Sequence, residues 1–447
     1  MEFKIFKNLL FQKAIESGFN ECEIYYSDGE SLSISVYEGE VEKYNLSKSF
    51  GLSFRGKIND KMGYSYTEIL DDKAIGVLIT NAKNSANLIE NDDEEFIYEG
   101  DSEYKEVKTY SKGLENINPA GMIELVLDLE KETKKYSDKV INLNGCKISY
   151  NSSNYGIYNT KGLELINKGN ILTSYVVPIV EDNNKKNDGV GYVVANSLDD
   201  VNPKLIAKQG VEEALSKLNA KSIESKNYKI IIYSEAMVSL LETFSDIFSA
   251  DTAQKGLSLL KDKEGEIIAS SVVTIIDDPL LDDGLASTPF DDEGVATFTK
   301  EIVKNGKLNT LLHNLKTAHK AGVKTTGNGF KSSYASSVSV SESNLYLQKG
   351  NKSLQELMND INEGVMITDL AGLHSGANSV SGDFSLAANG FYIKDCKKSF
   401  PVEQITVAGN YFDLLKNIKE VGSDLTFPMS SIGSPSVIVE GLSIAGK

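Results

Sequence analysis

The chain has 447 residues, 40% apolar and 25% charged, a soluble globular balance in a chain too long for one ordinary core. A net charge of −18, one arginine (Arg55) and no basic patch interleaved with aromatics exclude a phosphate-dominated nucleic-acid partner. No apolar run approaches the ~18 residues that cross a bilayer, and three scattered cysteines (Cys22, Cys146, Cys396) exclude a disulfide framework or zinc ribbon.

At the start, apolar Phe3, Phe6, Leu10 and Ile15 recur at near-helical spacing, interrupted by Lys4, Lys7, Lys13 and Glu16. This predicts an amphipathic helix closing at Gly18 rather than a signal peptide, and hence a cytoplasmic protein. Strands are expected over 23–27, 31–37, 49–55 and 62–66. The second alternates Leu32, Ile34, Val36 and the third Phe50, Leu52, Phe54. Turns are placed at Asp28-Gly29 and around 56–60. A helix over about 71–89, with Ile75, Leu78, Ile79 and Ala82 on one face, completes a small α+β unit. Residues 91–106 are acidic and poorly periodic, with Asp92, Asp93, Glu94 and Glu95 in succession, and read as a solvated linker.

Asn118-Pro119 supplies a cap and a first-turn proline for a helix reaching about residue 136. Strands over 146–150, 155–160, 163–167, 171–180 and 189–195 lead to a helix opened by Asn202-Pro203 and ending near residue 218. After a polar connector (219–227), YKIIIY at 228–233 is a buried-type strand and 235–248 a helix. The rest reads as short strands and glycine turns, with one more helix over 354–362. No repeat of 20–50 residues is present.

A zincin-type site needs two imidazoles one helical turn apart and a carboxylate to activate water. The histidines here are His313, His319 and His374, none followed by glutamate, and the first two would face opposite sides of a helix. Glu242 and Asp246 lie one turn apart and read as solvated helix charges. The acidic stretch 275–294 carries its carboxylates in pairs (Asp277-Asp278, Asp282-Asp283, Asp291-Asp292-Glu293), without the alternate spacing of an EF-hand, and reads as turn capping, with the shaping of a partner or peptide contact as the alternative. Gly322-x4-Gly327 has Asn328 where a phosphate loop requires lysine, and Gly189-x-Gly191 lacks a third glycine. No G-x-S-x-G elbow exists.

Late in the chain, AGLHSGANSVSGDFSLAANGFYI (371–393), PVEQITVAGN and GSPSVIVEGLSIAG follow DDPLLDDG, TPFDDEG and TTGNG. In this order the blocks resemble the TldD/PmbA family, in which two related subunits form a peptidase. One of them holds zinc on a His-Glu-x-x-x-His helix and through a late cysteine. The stretches matching those two parts, 234–248 and 426–434, contain neither histidine nor cysteine. The resemblance therefore implies the TldE/PmbA-type subunit, with no cofactor of its own and zinc supplied by a TldD-like partner. It further implies an α+β fold: two small domains with antiparallel sheet (1–106 and 107–219) and a larger β-rich barrel or sandwich (220–447). The chain is expected to form a heterodimer, or a homodimer when alone, and to act on unfolded peptides. Gly372, His374, Ser375, Asn378, Gly382 and Asp383 would line a groove in which an extended peptide lies beside a strand. No catalytic or metal residue is assigned to this chain. The alternatives are a stand-alone peptide-binding scaffold and a regulator of DNA gyrase acting through an acidic surface, a label that the charge balance does not support.

Overall fold

The computed structural model describes residues 1–89 and 93–447. Helix α1 (Phe3–Glu16) turns Phe6, Leu10 and Ala14 inward, one helical turn apart, and ends before Gly18 at φ 97°. Three antiparallel strands follow: β1 (Glu21–Tyr37), β2 (Glu40–Ile58) and β3 (Lys61–Thr67). The Asp71 carboxylate then caps helix α2 (Asp72–Asn87) by accepting the Ala74 N–H at 2.7 Å. The expected turn at Asp28-Gly29 does not form. Gly29 lies inside β1, where a Cβ would stand 2.7 Å from the Ser152 carbonyl, so this glycine serves close strand approach. The hairpin instead turns at Glu38 and Gly39, both left-handed (φ 54° and 81°), the two-residue geometry that matches strand twist.

Helix α3 (Pro119–Tyr136) leads into β4 (Val140–Asn159), β5 (Glu164–Asp182), β6 (Lys185–Asp188), β7 (Gly191–Ala195) and helix α4 (Pro203–Ser216). Polar residues such as Ser152, Ser153 and Asn154 do not break the strand as expected but sit inside β4. β1 pairs with β4 from Glu23↔Asn159 to Ser35↔Lys147. The strands on either side of the acidic connector therefore build one antiparallel sheet of order β3-β2-β1-β4-β5-β6, with β7 also on β5. Even-numbered β1 residues face the helices: Cys22 and Ile24 pack with α1 and α2, Leu32 and Ile34 with α3 and α4. Of the odd-numbered residues, Glu23 and Tyr25 are buried beneath the C-terminal region, and Ser27 to Ser35 remain partly open.

Asn91 and Asp92, at the head of the acidic connector, lie outside the described residues. The part that follows is fastened rather than free. Asp93 pairs with Lys316 (3.2 Å) and Lys320 (3.3 Å), Glu94 with Lys57 (3.4 Å), and Ile97 is buried.

In the C-terminal region, β8 (Ile230–Ile232) lies inside a seven-stranded sheet, flanked by Gly364–Ala371 and Val437–Val439. Beyond Gly364–Ala371 come Asp383–Lys394, Lys397–Asn410 and the edge strand Ser443–Ala445. A second, five-stranded sheet contains Ile275–Asp277, Lys300–Lys304 and Leu345–Leu347. Helix α5 (Ser234–Phe244) contributes Met237, Leu240, Leu241 and Phe244 to the core shared by both sheets. The α+β class and the β-rich C-terminal region agree with the sequence expectation. Among the described residues no helix is long and apolar enough to cross a membrane.

Candidate functional site

Glu242 and Asp246 both lie on the exposed side of α5 and of the 3-10 turn Ser245–Phe248 that continues it. Near them Glu342 is half-buried. Burial pushes its carboxyl above the usual range, a Ser245 hydrogen bond opposes this, and Asp277 and Asp246 add repulsion. The histidines are dispersed over separate elements. His313 is 3% exposed, and burial pulls its pKa down. His319 packs against Phe96 with the rings tilted (centroids 4.8 Å apart) and faces Glu94 at 3.4 Å, and His374 is exposed on the one-turn helix Leu373–Gly376. Among the described residues, no three or more His, Cys, Asp or Glu side chains are grouped to hold a metal. A tetrahedral zinc site of imidazole and thiolate does not fit this donor set.

The expected groove residues come together in one loop between Gly364–Ala371 and Asp383–Lys394. Gly372 (φ 83°) starts the short helix, and Ser375 Oγ donates back to the Gly372 carbonyl at 3.3 Å. Asn378 Oδ1 accepts the N–H groups of Val380 (3.0 Å) and Ser381 (3.1 Å). The Gly382 N–H reaches the Asn378 carbonyl at 2.8 Å. Asp383 accepts from Ser381 Oγ and Asn410 Nδ2, both at 2.9 Å, and these bonds hold its pKa below the usual value. Asn378, Gly382 and Asp383 thus close a turn, while His374 and Ser375 keep exposed side chains. The strand Asp383–Lys394 is paired on both sides, so its backbone offers no free edge.

The paired carboxylates of 275–294 do act as caps, and they also organise a buried charge cluster. Asp291 accepts the N–H groups of Glu293 (3.0 Å), Val295 (3.0 Å) and Gly329 (2.9 Å). Asp292 accepts the Lys331 N–H at 2.7 Å, and Glu293 the Leu315 N–H at 2.7 Å. Across the boundary with the N-terminal sheet, Arg55 Nε donates to Glu23 at 2.6 Å and Nη1 lies 3.8 Å from Glu293. Lys331 Nζ donates to Ser53 Oγ at 2.9 Å. Burial raises Asp292 to about 6, and raises Glu293 to about 7 against the pull of Arg55. It lowers Lys331 to about 8, with Arg55 acting in the same sense.

The feature missed in sequence is the bare face of the N-terminal sheet. Cross-strand registers align Asn45, Ser33, Ser149 and Thr173 in one row and Ser47, Ser31, Asn151 and Ile171 in the next. These rows carry hydroxyls and amides without a charge. Toward the C-terminal region the face deepens into a cleft of about 710 Å³ lined by Asn151, Ser153, Tyr155, Asn167, Asn170 and Ser287. Lys108 and Asp283, paired at 2.9 Å, stand at its wall. The signal was present as Ser31-x-Ser33-x-Ser35, the polar half of an alternation read only for its apolar half.

Comparison with known proteins places three domain families along the chain. PmbA/TldA metallopeptidase domain 1 matches residues 22–86, the central domain 112–218 and the C-terminal domain 225–446. Metalloprotease PmbA of Escherichia coli O157:H7 is 26% identical over 438 residues, covering 95% of this chain and 92% of that protein. A Thermotoga maritima protein of known structure, described as a modulator of a DNA gyrase, is 33% identical with a TM-score of 0.92, covering 99% of this chain and 100% of its own. TldE from Thermococcus kodakarensis shares the fold at 21% identity and a TM-score of 0.89, over 99% of this chain and 100% of that one.

Proposed function

The chain belongs to the PmbA/TldD metallopeptidase family, and on that premise we propose that it is the subunit without zinc in a two-subunit peptidase. The observation that carries this reading is the make-up of α5 and its continuation. The stretch that the resemblance matches to the family's zinc helix carries Glu242 and Asp246 and no histidine, and the stretch 426–434 has no thiol. The zinc, and the water it activates, would come from a TldD-like partner. No catalytic step is assigned to this chain.

Its contribution would be to receive substrate. The hydroxyl and amide rows of the sheet face, and the cleft beside them, would offer donors and acceptors to the backbone of an unfolded peptide whatever its sequence. His374 and Ser375, exposed on the loop after Gly364–Ala371, would meet the same peptide. The pair would work in the cytoplasm, and the chain alone would form a homodimer. The test is to mix the purified chain with a zinc-bearing family member and follow cleavage of an unfolded peptide. Cleavage by the mixture, exceeding the sum of the separate subunits, supports the proposal. A mixture no more active than the partner alone contradicts it.

A further inference from the structure

Lys300, Asp277 and Asn328 meet in the core of the C-terminal region, 6%, 0% and 0% exposed. Lys300 and Asp277 are direct partners on adjacent antiparallel strands, and Asn328 precedes the short strand Gly329–Phe330. Lys300 Nζ donates to Asp277 Oδ2 and to Asn328 Oδ1, each at 2.9 Å. Asn328 Nδ2 donates to the same Asp277 Oδ2 at 2.9 Å. Thr326 Oγ1 donates to Asn328 Oδ1 at 2.8 Å, and Ser343 N and Oγ hold the other Asp277 oxygen at 2.6 and 2.7 Å. Phe298 places its ring 4.9 Å from Nζ.

A buried amine and a buried carboxamide, held together by one carboxylate, are arranged for more than a salt bridge. We propose that Lys300 and Asn328 join in an intramolecular isopeptide bond. The Nζ ammonium gives a proton to Asp277 Oδ2, and its freed lone pair adds to Asn328 Cγ. Charge that develops on Oδ1 is met by the Thr326 hydroxyl. Asp277 Oδ2 touches both the attacking and the departing nitrogen, so it relays to Nδ2, in turn, the two protons that Nζ gives up. The Cγ–Nδ2 bond then breaks. The balance is one ammonium and one carboxamide giving one secondary amide and one ammonium ion, with no oxidant or other reactant. Fixed geometry replaces the entropy cost of bringing the groups together, and burial keeps out the water that would compete for the carbonyl. The bond would tie the strand Lys300–Lys304 to the loop that carries Asn328.

Asn328-Gly329 could also lose ammonia by forming a succinimide, but the Gly329 N–H that would attack is engaged by Asp291 Oδ2 at 2.9 Å. Intact-mass spectrometry of the full chain, followed by fragment sequencing, separates the possibilities. The expected mass is below the sequence mass by one ammonia, with a branched fragment joining Lys300 to Asn328. Lys300→Arg keeps a cation beside Asp277 but has no amine nucleophile, and should have its full sequence mass. Asn328→Asp should lose one water in place of ammonia. Full sequence mass in folded wild-type protein after prolonged incubation overturns the proposal. So does an ammonia loss that persists in Lys300→Arg and is opened by hydroxylamine.

Discussion

Replacing Arg55 by methionine tests the buried charge cluster that joins the N-terminal sheet to the C-terminal region. Glu23, Arg55 and Glu293 are 1%, 3% and 4% exposed, so water cannot compensate for a missing charge. Without the guanidinium, both carboxylates face each other in a low-dielectric site. Breaking such a buried pair costs about 3–5 kcal/mol, a large share of the ~5–15 kcal/mol that keeps a protein folded. The cost should depend on pH. Glu293 is already raised to about 7 with Arg55 pulling it down. In the variant that pull is gone, so Glu293 binds its proton still more tightly and the penalty shrinks as pH falls from 8 to 6. The reduction is about 1.4 kcal/mol per pH unit at most. Arg55→Met/Glu293→Gln should recover much of the loss at pH 8. Urea unfolding of both variants at the two pH values supplies the numbers. A single-variant cost below ~1 kcal/mol at pH 8, where about 3–5 is expected, would refute the reasoning. A cost identical at pH 6 and 8 would refute the role given to Glu293.

In the wild type, Asp292 and Glu293 have folded pKa values of about 6 and about 7, above their ordinary values. The folded state therefore holds protons that the unfolded chain releases, and through these groups stability rises as pH falls from 8 toward 5. Thermal scans should show this, and Glu293→Gln should flatten the slope. Lys331, lowered to about 8, acts at higher pH, where its loss of a proton favours the folded state as pH rises from 8 to 10. Asn378→Ala removes the acceptor for two backbone N–H groups and should cost about 1 kcal/mol, whereas exposed His374→Ala should cost no more than about 0.5 kcal/mol. Both should weaken peptide cleavage by the reconstituted pair, and an unchanged rate in the double variant would reduce the two residues to turn formers. Gly29→Ala places a Cβ against the Ser152 carbonyl and should cost about 1–3 kcal/mol in chemical denaturation. Ser31→Asp puts a single charge on the bare sheet face, and should lower cleavage while leaving the melting temperature nearly unchanged.

The helices were legible because caps and periodicity act locally: Asn118-Pro119 and Asn202-Pro203 each open a helix with the asparagine side chain accepting from the first turn. The long strands were legible only in part. Serine and asparagine at 149–154 signal turns when read alone, yet Ser149, Asn151 and Ser153 form the open face of a strand, while Ser152 and Asn154 alternate to its other face opposite Glu30 and Asp28. That β1 pairs with β4 across the acidic connector is a long-range fact with no local signature. Glycine told only that something unusual happens at its position. At Gly39 it is a left-handed turn, and at Gly29 it is the close approach of a neighbouring strand. Within the expected groove, the sequence located one continuous loop but could not tell that Asn378 and Asp383 spend their polar atoms on closing it.

The most direct test of the central claim is elemental analysis of the tag-free chain alone and of the same chain purified with a TldD-like subunit. The account predicts no stoichiometric zinc in the isolated chain, and one zinc per heterodimer together with peptide cleavage in the complex. One tightly held zinc per isolated chain, or peptide cleavage by that chain alone, would contradict it.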